Sequence, residues 1–210
     1  MKRILVIDDH AVVRDGLKRI LSEHPGGALF GEAGNVHEAL RLVRDENWDA
    51  IVLDISLNGR NGLELLKELK QLRPQLPILI LSMHSEEQYA RRAFKGGAAG
   101  YITKDSSRAE LVNAVTKVME GRRYVSPALA EKLVFDIERG TDRPPHETLS
   151  DREFEVMRLI AVGKSVSEIA EILSLSDKTI STYRSRLLEK MRMKTNAELI
   201  HYAIKNKLIE

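Results

Sequence analysis

The 210-residue chain has no cysteine, which excludes both a disulfide scaffold and a thiolate metal site. It also lacks any apolar run approaching the ~18 residues of a membrane span. Met1-Lys2-Arg3 leads straight into an apolar stretch, which speaks against a signal peptide. A large excess of one charge is missing too, because the net charge is only +2. What is present, 43% apolar and 30% charged residues, describes a globular protein long enough for one large or two ordinary domains.

The run Asp49-Ala50-Ile51-Val52-Leu53-Asp54 is apolar until it ends in a carboxylate. Three consecutive branched residues predict a strand covered on both faces, which is the habit of parallel sheets flanked by helices. Asp54 then lies at the carboxyl end of a central strand, where open α/β sheets bind ligands. Taken alone, it better suits an aspartate that merely caps or turns the chain. A second buried strand, Ile4 to Ile7, ends in Asp8-Asp9, and a third, Ile78 to Leu81, ends at Ser82. A short strand near Ala99 to Ile102 ends before Lys104. Three carboxylates at one sheet edge repel one another unless a cation neutralises them, and hard oxygen donors suit Mg²⁺. A carboxylate nucleophile, a divalent cation, a hydroxyl and an ammonium together match phosphoryl transfer to Asp54. No side chain is placed as a base for fast turnover, so the aspartyl phosphate would persist as a signal. His10, His84 and His201 are scattered, which suits structural or surface roles rather than metal ligation.

Asp8-Asp9, Asp54, Ser82, Tyr101 and Lys104 resemble the receiver domain of bacterial two-component response regulators, over roughly the first 120 residues. The resemblance implies that Asp54 accepts the phosphoryl group. It also implies that Asp9, Asp54 and the backbone carbonyl of Ser56 ligate Mg²⁺, with Asp8 acting through a metal-bound water. Ser82 and Tyr101 would form a switch pair, with Ser82 drawn inward on phosphorylation and Tyr101 following it. Lys104 would contact the phosphate. The sequence departs from the family pattern at Leu57-Asn58 in place of Met-Pro, which predicts a less rigid loop, and at Ser82 in place of threonine. Met83 is bulky where a small residue is common, so it would slow access to Asp54. Asp105 replaces the usual proline after Lys104.

Helix periodicity is expected over residues 10–23, 36–46, 62–72, 86–95 and 107–119, for example Leu63, Leu66, Leu69 and Leu72 in the third. Alternation of five strands with five helices predicts an α/β fold, a doubly wound, flavodoxin-like, five-stranded parallel sheet of order 2-1-3-4-5. This receiver domain would occupy residues 1–120. Residues 121–147 read as a linker. Its short helix would be capped by Ser126-Pro127 and carry Leu129, Leu133, Val134 and Ile137, followed by an exposed, proline-containing stretch from Arg139 to Glu147.

Residues 148–210 carry regular helix punctuation. Ser150 with Glu153 and Ser165 with Glu168 make capping boxes, with Leu149 and Phe154 as a staple for the first. Gly163 ends the first helix, Ser176 caps a third, and Thr195 with Glu198 opens a fourth. A small all-α helix-turn-helix domain follows, with Ile180, Tyr183, Leu187 and Met191 seating the third helix. Its other face shows Lys178, Ser181, Thr182, Ser185, Arg186 and Glu189. Residues 177–194 hold six basic side chains against two acidic ones. Short hydroxyls beside Lys and Arg suit base edges and phosphates in a major groove. A solvated polar face without a ligand is the plainer alternative.

Leu149-Ser-Asp-Arg-Glu, Gly163-Lys-Ser, Glu168-Ile-Ala, Ser176-Asp-Lys-Thr-Ile and Leu188-Glu-Lys-Met resemble the four-helix DNA-binding domain of quorum-sensing activators and of nitrate- and nitrogen-fixation-type response regulators. The resemblance implies promoter contact through Lys178, Thr179, Ser181, Thr182, Ser185, Arg186 and Lys190. It assigns dimerisation to the fourth helix through Leu199, Ile200, Ala203 and Ile204. The expected partners are a sensor histidine kinase, double-stranded promoter DNA and, on phosphorylation, a second copy of the chain; the expected place is the cytoplasm, with no membrane contact. An aspartyl-chemistry enzyme would need a second acid two residues after Asp54, and Ser56 stands there. A protein-binding adaptor whose helix-turn-helix has lost DNA is the other alternative, and the salt dependence of DNA binding separates it.

Overall fold

The computed structural model describes residues 1–23, 26–57, 60–84, 86–127, 129–131 and 144–209. The chain divides into two compact units, Met1–Glu131 and Lys132–Glu210.

The first unit is built on five parallel strands: β1 (Lys2–Ile7), β2 (Ala28–Ala33), β3 (Ala50–Asp54), β6 (Ile78–Ser82) and β7 (Gly100–Thr103). Their order across the sheet is β2-β1-β3-β6-β7, the doubly wound arrangement that the alternation predicts. Two short segments, β4 (Ser56–Leu57) and β5 (Arg60–Asn61), form a small antiparallel pair just beyond β3. Leu57 is buried there, and Asn58 lies outside the described residues. The connecting helices are α1 (Ala11–Leu21), α2 (Val36–Asp45), α3 (Gly62–Leu72), α4 (Glu86–Lys95) and α5 (Arg108–Met119).

Strand side chains alternate between the two faces of the sheet. Ile4, Val6, Val52, Leu79, Leu81 and Ile102 pack with Leu17 and Leu21 of α1 and Leu111, Val115 and Val118 of α5. The intervening Leu5, Ile7, Ile51, Leu53, Ile78 and Ile80 are buried as well, so the central strands are covered on both sides. In α3 the stripe Leu63, Leu66 and Leu69 is buried, whereas Leu72, in the last turn, is 41% exposed. Strand β2 sits at the edge with a half-exposed pattern, and no sequence signal had located it.

After the fifth helix, Ser126 accepts from the backbone N–H of Leu129, starting the expected helical turn, and Leu129 is buried. Leu133, Val134 and Ile137, and most of the stretch expected to be an exposed linker, lie outside the described residues.

The second unit opens with a 3₁₀ turn (Pro145–Thr148), followed by α6 (Asp151–Ala161), α7 (Val166–Leu173), α8 (Asp177–Met191) and α9 (Asn196–Lys205). Ser150/Glu153 and Ser165/Glu168 both close complete capping boxes. Gly163, at a φ of 86°, ends α6 with its own N–H on Ile160 and the next N–H on Leu159. Thr195 caps α9 through Glu198 N–H, but the Glu198 carboxylate reaches Lys194 N–H one residue earlier, so that box is not reciprocal. Helices α7, α8 and α9 all pack on α6. No helix among the described residues is long and apolar enough to cross a membrane.

Candidate functional site

Strands β1 and β3 are hydrogen-bonded neighbours, with Ile7 opposite Leu53, so the residues that follow them emerge side by side. Asp8 keeps its N–H on Ala33 at 3.2 Å, and its Oδ1 accepts from His10 N–H at 2.8 Å, which turns the chain into α1. Asp54 Oδ1 accepts from Ser56 N–H at 3.1 Å. The N–H of Lys104 extends the β6–β7 ladder to Ser82 O at 2.7 Å, bringing the lysine over the same edge. Its Nζ donates to Asp8 Oδ2 at 2.8 Å and to Asp54 Oδ2 at 2.7 Å. Both acids are almost fully enclosed. Gly62 lets the start of α3 lie against the end of β3: a Cβ there would lie 2.5 Å from the Asp54 carbonyl oxygen and 2.6 Å from Ile55 Cα. Sequence reading placed Gly62 only at a helix start, because nothing local signals that the backbone of another strand presses on it.

Burial outweighs the Lys104 hydrogen bonds at Asp54 and raises its carboxyl from 3.8 to about 6. At Lys104 burial works against the ammonium, but the hydrogen bonds to Asp54 and Asp8 prevail and raise it above the ordinary lysine value. The ammonium thus balances two carboxylates that could not otherwise share this space. Asp9 pairs with the histidine that follows it. Its Oδ1 lies 2.8 Å from His10 Nδ1, and the donor atoms of Asp8, Asp9 and His10 all fall within 4.8 Å of one another. One buried and one half-buried carboxylate with an exposed third donor beside them fit a small divalent cation. Asp54, expected to share that ligand set with Asp9, is not in this group and faces Lys104 instead. His10, set aside from the sequence as a surface residue, is in it; its position directly after Asp8-Asp9 was the available signal.

Ser82 is fully buried, and its Oγ accepts from His84 N–H at 3.0 Å. Tyr101 is fully buried too, with its hydroxyl donating to His84 O at 2.9 Å. In this structure the Tyr101 ring lies inside, held by the peptide that also engages Ser82. Met83 is 73% exposed.

In the second unit, Ile180, Leu187 and Met191 of α8 are buried, while Lys178, Ser181, Thr182, Ser185 and Arg186 are exposed. Thr179 is half-buried, its hydroxyl on Ser176 Oγ at 2.8 Å. Lys190 donates to the buried Glu153 at 2.7 Å, so its charge serves the α6 capping box. Burial opposes the Glu153 carboxylate, yet Lys190 and Ser150 hold its pKa below the usual range. The set expected to pair two copies also needs correction. Leu199 and Ala203 are completely buried where α9 packs on α6, so they cannot face a partner, whereas Ile204 is 60% exposed and Ile200 is half-buried.

Residues 4–116 match the response regulator receiver domain family, and residues 147–203 match the luxR family of bacterial regulatory proteins. Response regulator UvrY of Escherichia coli (strain K12) is 34% identical over 99% of this chain and 96% of its own. Response regulator GacA of Pseudomonas aeruginosa is 32% identical over 100% and 99%. Among solved structures, a LuxR-family response regulator from Aurantimonas sp. superposes with a TM-score of 0.59 at 38% identity, covering 64% of this chain and 96% of that one. The response regulator RcsB, in a complex with DNA, superposes with a TM-score of 0.60 at 23% identity over 100% and 99%, a likeness of fold. The chain belongs to the two-component response regulators that join a receiver to a LuxR-type DNA-binding domain, and it is homologous to UvrY and GacA.

Proposed function

We propose that this response regulator is a cytoplasmic transcription factor, of the nitrate- and nitrogen-fixation-regulator type, that is switched by phosphorylation of Asp54. The observation that carries the reading is the double hydrogen bond of Lys104 to Asp8 and Asp54 at the end of adjoining strands. A carboxylate oxygen of Asp54 forms the new bond to phosphorus while the bond from phosphorus to the imidazole nitrogen of a sensor histidine kinase breaks. Lys104, already beside Asp54, neutralises phosphoryl oxygens, and Ser82 has its hydroxyl proton left to donate because its oxygen accepts from His84. Receiver domains typically use Mg²⁺ at such an acidic pocket, and Asp8, Asp9 and Asp54 with the Ser56 carbonyl are the proposed holders. The ion supplies positive charge for the transferring group. His84 links Ser82 to Tyr101 through its own backbone, so a change at Ser82 reaches Tyr101 without either ring or hydroxyl crossing a gap.

The proposed domains are a receiver over 1–120, a linker over 121–147 and a DNA-binding domain over 148–210. Lys178, Ser181, Thr182, Ser185 and Arg186 would face promoter DNA, and two phosphorylated copies would pair through Ile200 and Ile204 of α9. Complexed DNA in the RcsB structure supports the second role by analogy of fold. Radiolabelled acetyl phosphate with Mg²⁺ tests the acceptor: the wild type becomes labelled and Asp54→Asn does not. A variant labelled as well as the wild type overturns the assignment.

A further inference from the structure

We propose that His10 supplies a nitrogen donor to the divalent cation held beside Asp8 and Asp9, and so biases this receiver from magnesium toward manganese. The inference rests on the reading that the acidic pocket takes such a cation. The imidazole is not spent on the helix it precedes: His10 is the N-cap residue of α1, in extended backbone with a φ of −91°, and its side chain makes no capping bond. Instead the hydrogen bond from its own N–H to Asp8 Oδ1 directs the residue back over the carboxylates. His10 Nδ1 stands 2.8 Å from Asp9 Oδ1 and 3.4 Å from Asp8 Oδ1. An ion with six donors at ~2.1 Å places adjacent donors roughly 3 Å apart, and these two separations bracket that value. The ring is two-thirds exposed, so it can adjust to a cation without repacking the core.

The chemistry of the added donor decides the selectivity. Mg²⁺ demands oxygen ligands and keeps its waters, so an imidazole contributes little to holding it. Manganese accepts nitrogen more readily, and later ions of the series more readily still. Asp8, Asp9, Asp54 and the Ser56 carbonyl without His10 would leave an all-oxygen site with no such preference. A simple ion pair between a protonated His10 and Asp9 is the competing account of the same distance, and it predicts no change in selectivity when the ring is removed.

Calorimetric titration of the full chain with Mn²⁺ and with Mg²⁺, beside pulsed electron paramagnetic resonance of the Mn²⁺-loaded protein, separates the two. The wild type shows a nitrogen coupling that is absent from His10→Gln and retained in His201→Ala. In His10→Gln and His10→Ala the ratio of Mn²⁺ to Mg²⁺ affinity falls roughly tenfold, with Mg²⁺ affinity moving less than about threefold. Absence of the coupling from the wild type, or an unchanged ratio in both variants while the metals still bind, overturns the proposal and leaves the pocket intact. A wild-type chain that binds neither ion overturns the pocket reading together with it.

Discussion

At Asp54 a single buried carboxyl works against the fold that holds it. Its folded value of about 6 lies above the ordinary 3.8, so between those two the folded chain binds more protons than the unfolded one. Stability contributed by this group is therefore present at low pH, falls as pH rises through that window, and is absent above it. In metal-free protein, Asp54→Asn is expected to stabilise the receiver by on the order of 2 kcal/mol near neutral pH and by much less near pH ~4. Thermal melts in chelator at the two pH values check this, and an equal gain at both would contradict the sign. The same residue shows how far reading from the chain reaches. Asp8, Asp54, Ser82 and Lys104 were legible because each ends or follows an apolar run, and a parallel sheet gathers such ends. Gly62 was not, because its role depends on which atoms of another segment approach it, and no spacing encodes that, whereas the signal for His10 was its place directly after Asp8-Asp9.

Elements were legible where one physical signal dominated. Capping boxes and leucine stripes placed α3, α6 and α7 within a residue or two of their ends. Strand β2 escaped notice because an edge strand needs only a partly apolar face, and Gly31 interrupts it; that glycine is needed where a Cβ would meet the Trp48 ring at 2.1 Å. Within α8 an ion pair to Glu153, and within α9 burial, separates residues that the resemblance had grouped. Arg186→Ala should lower the slope of log affinity against log salt for promoter DNA by about 0.9, whereas Lys190→Ala should leave the slope and melt the second unit earlier by roughly 1–2 kcal/mol, because Glu153 loses its partner. Fluorescence anisotropy over a salt series, with a melt of each variant, distinguishes them. In α9, Leu199→Ala should cost about 2–5 kcal/mol of stability, while Ile204→Asp should change stability by less than about 0.5 kcal/mol yet prevent pairing on DNA. Denaturation together with sedimentation of the DNA complex reads both, and a paired Ile204→Asp complex would remove α9 from the interface.

For the whole molecule the expected behaviour is coupling between the two units. Footprints of phosphodonor-treated protein should show two half-sites about 34 Å apart, one helical turn, and Asp54→Asn should give a footprint indifferent to the donor. A donor-dependent footprint in that variant would place the switch elsewhere. The amino-acid sequence by itself determined that there are two kinds of architecture here, one alternating and parallel, the other short-helical and capped, because hydrophobic period and cap residues act locally. It also determined which acids reach one sheet edge, since strand ends are set by where apolar runs stop. Only the tertiary structure decided how those charges are shared: Lys104 between Asp8 and Asp54, Asp9 with His10, Lys190 with Glu153, Tyr101 already inside. Pairing of charges and burial of a ring depend on distances of a few ångströms between segments far apart in the chain, and those distances exist only once the chain has folded.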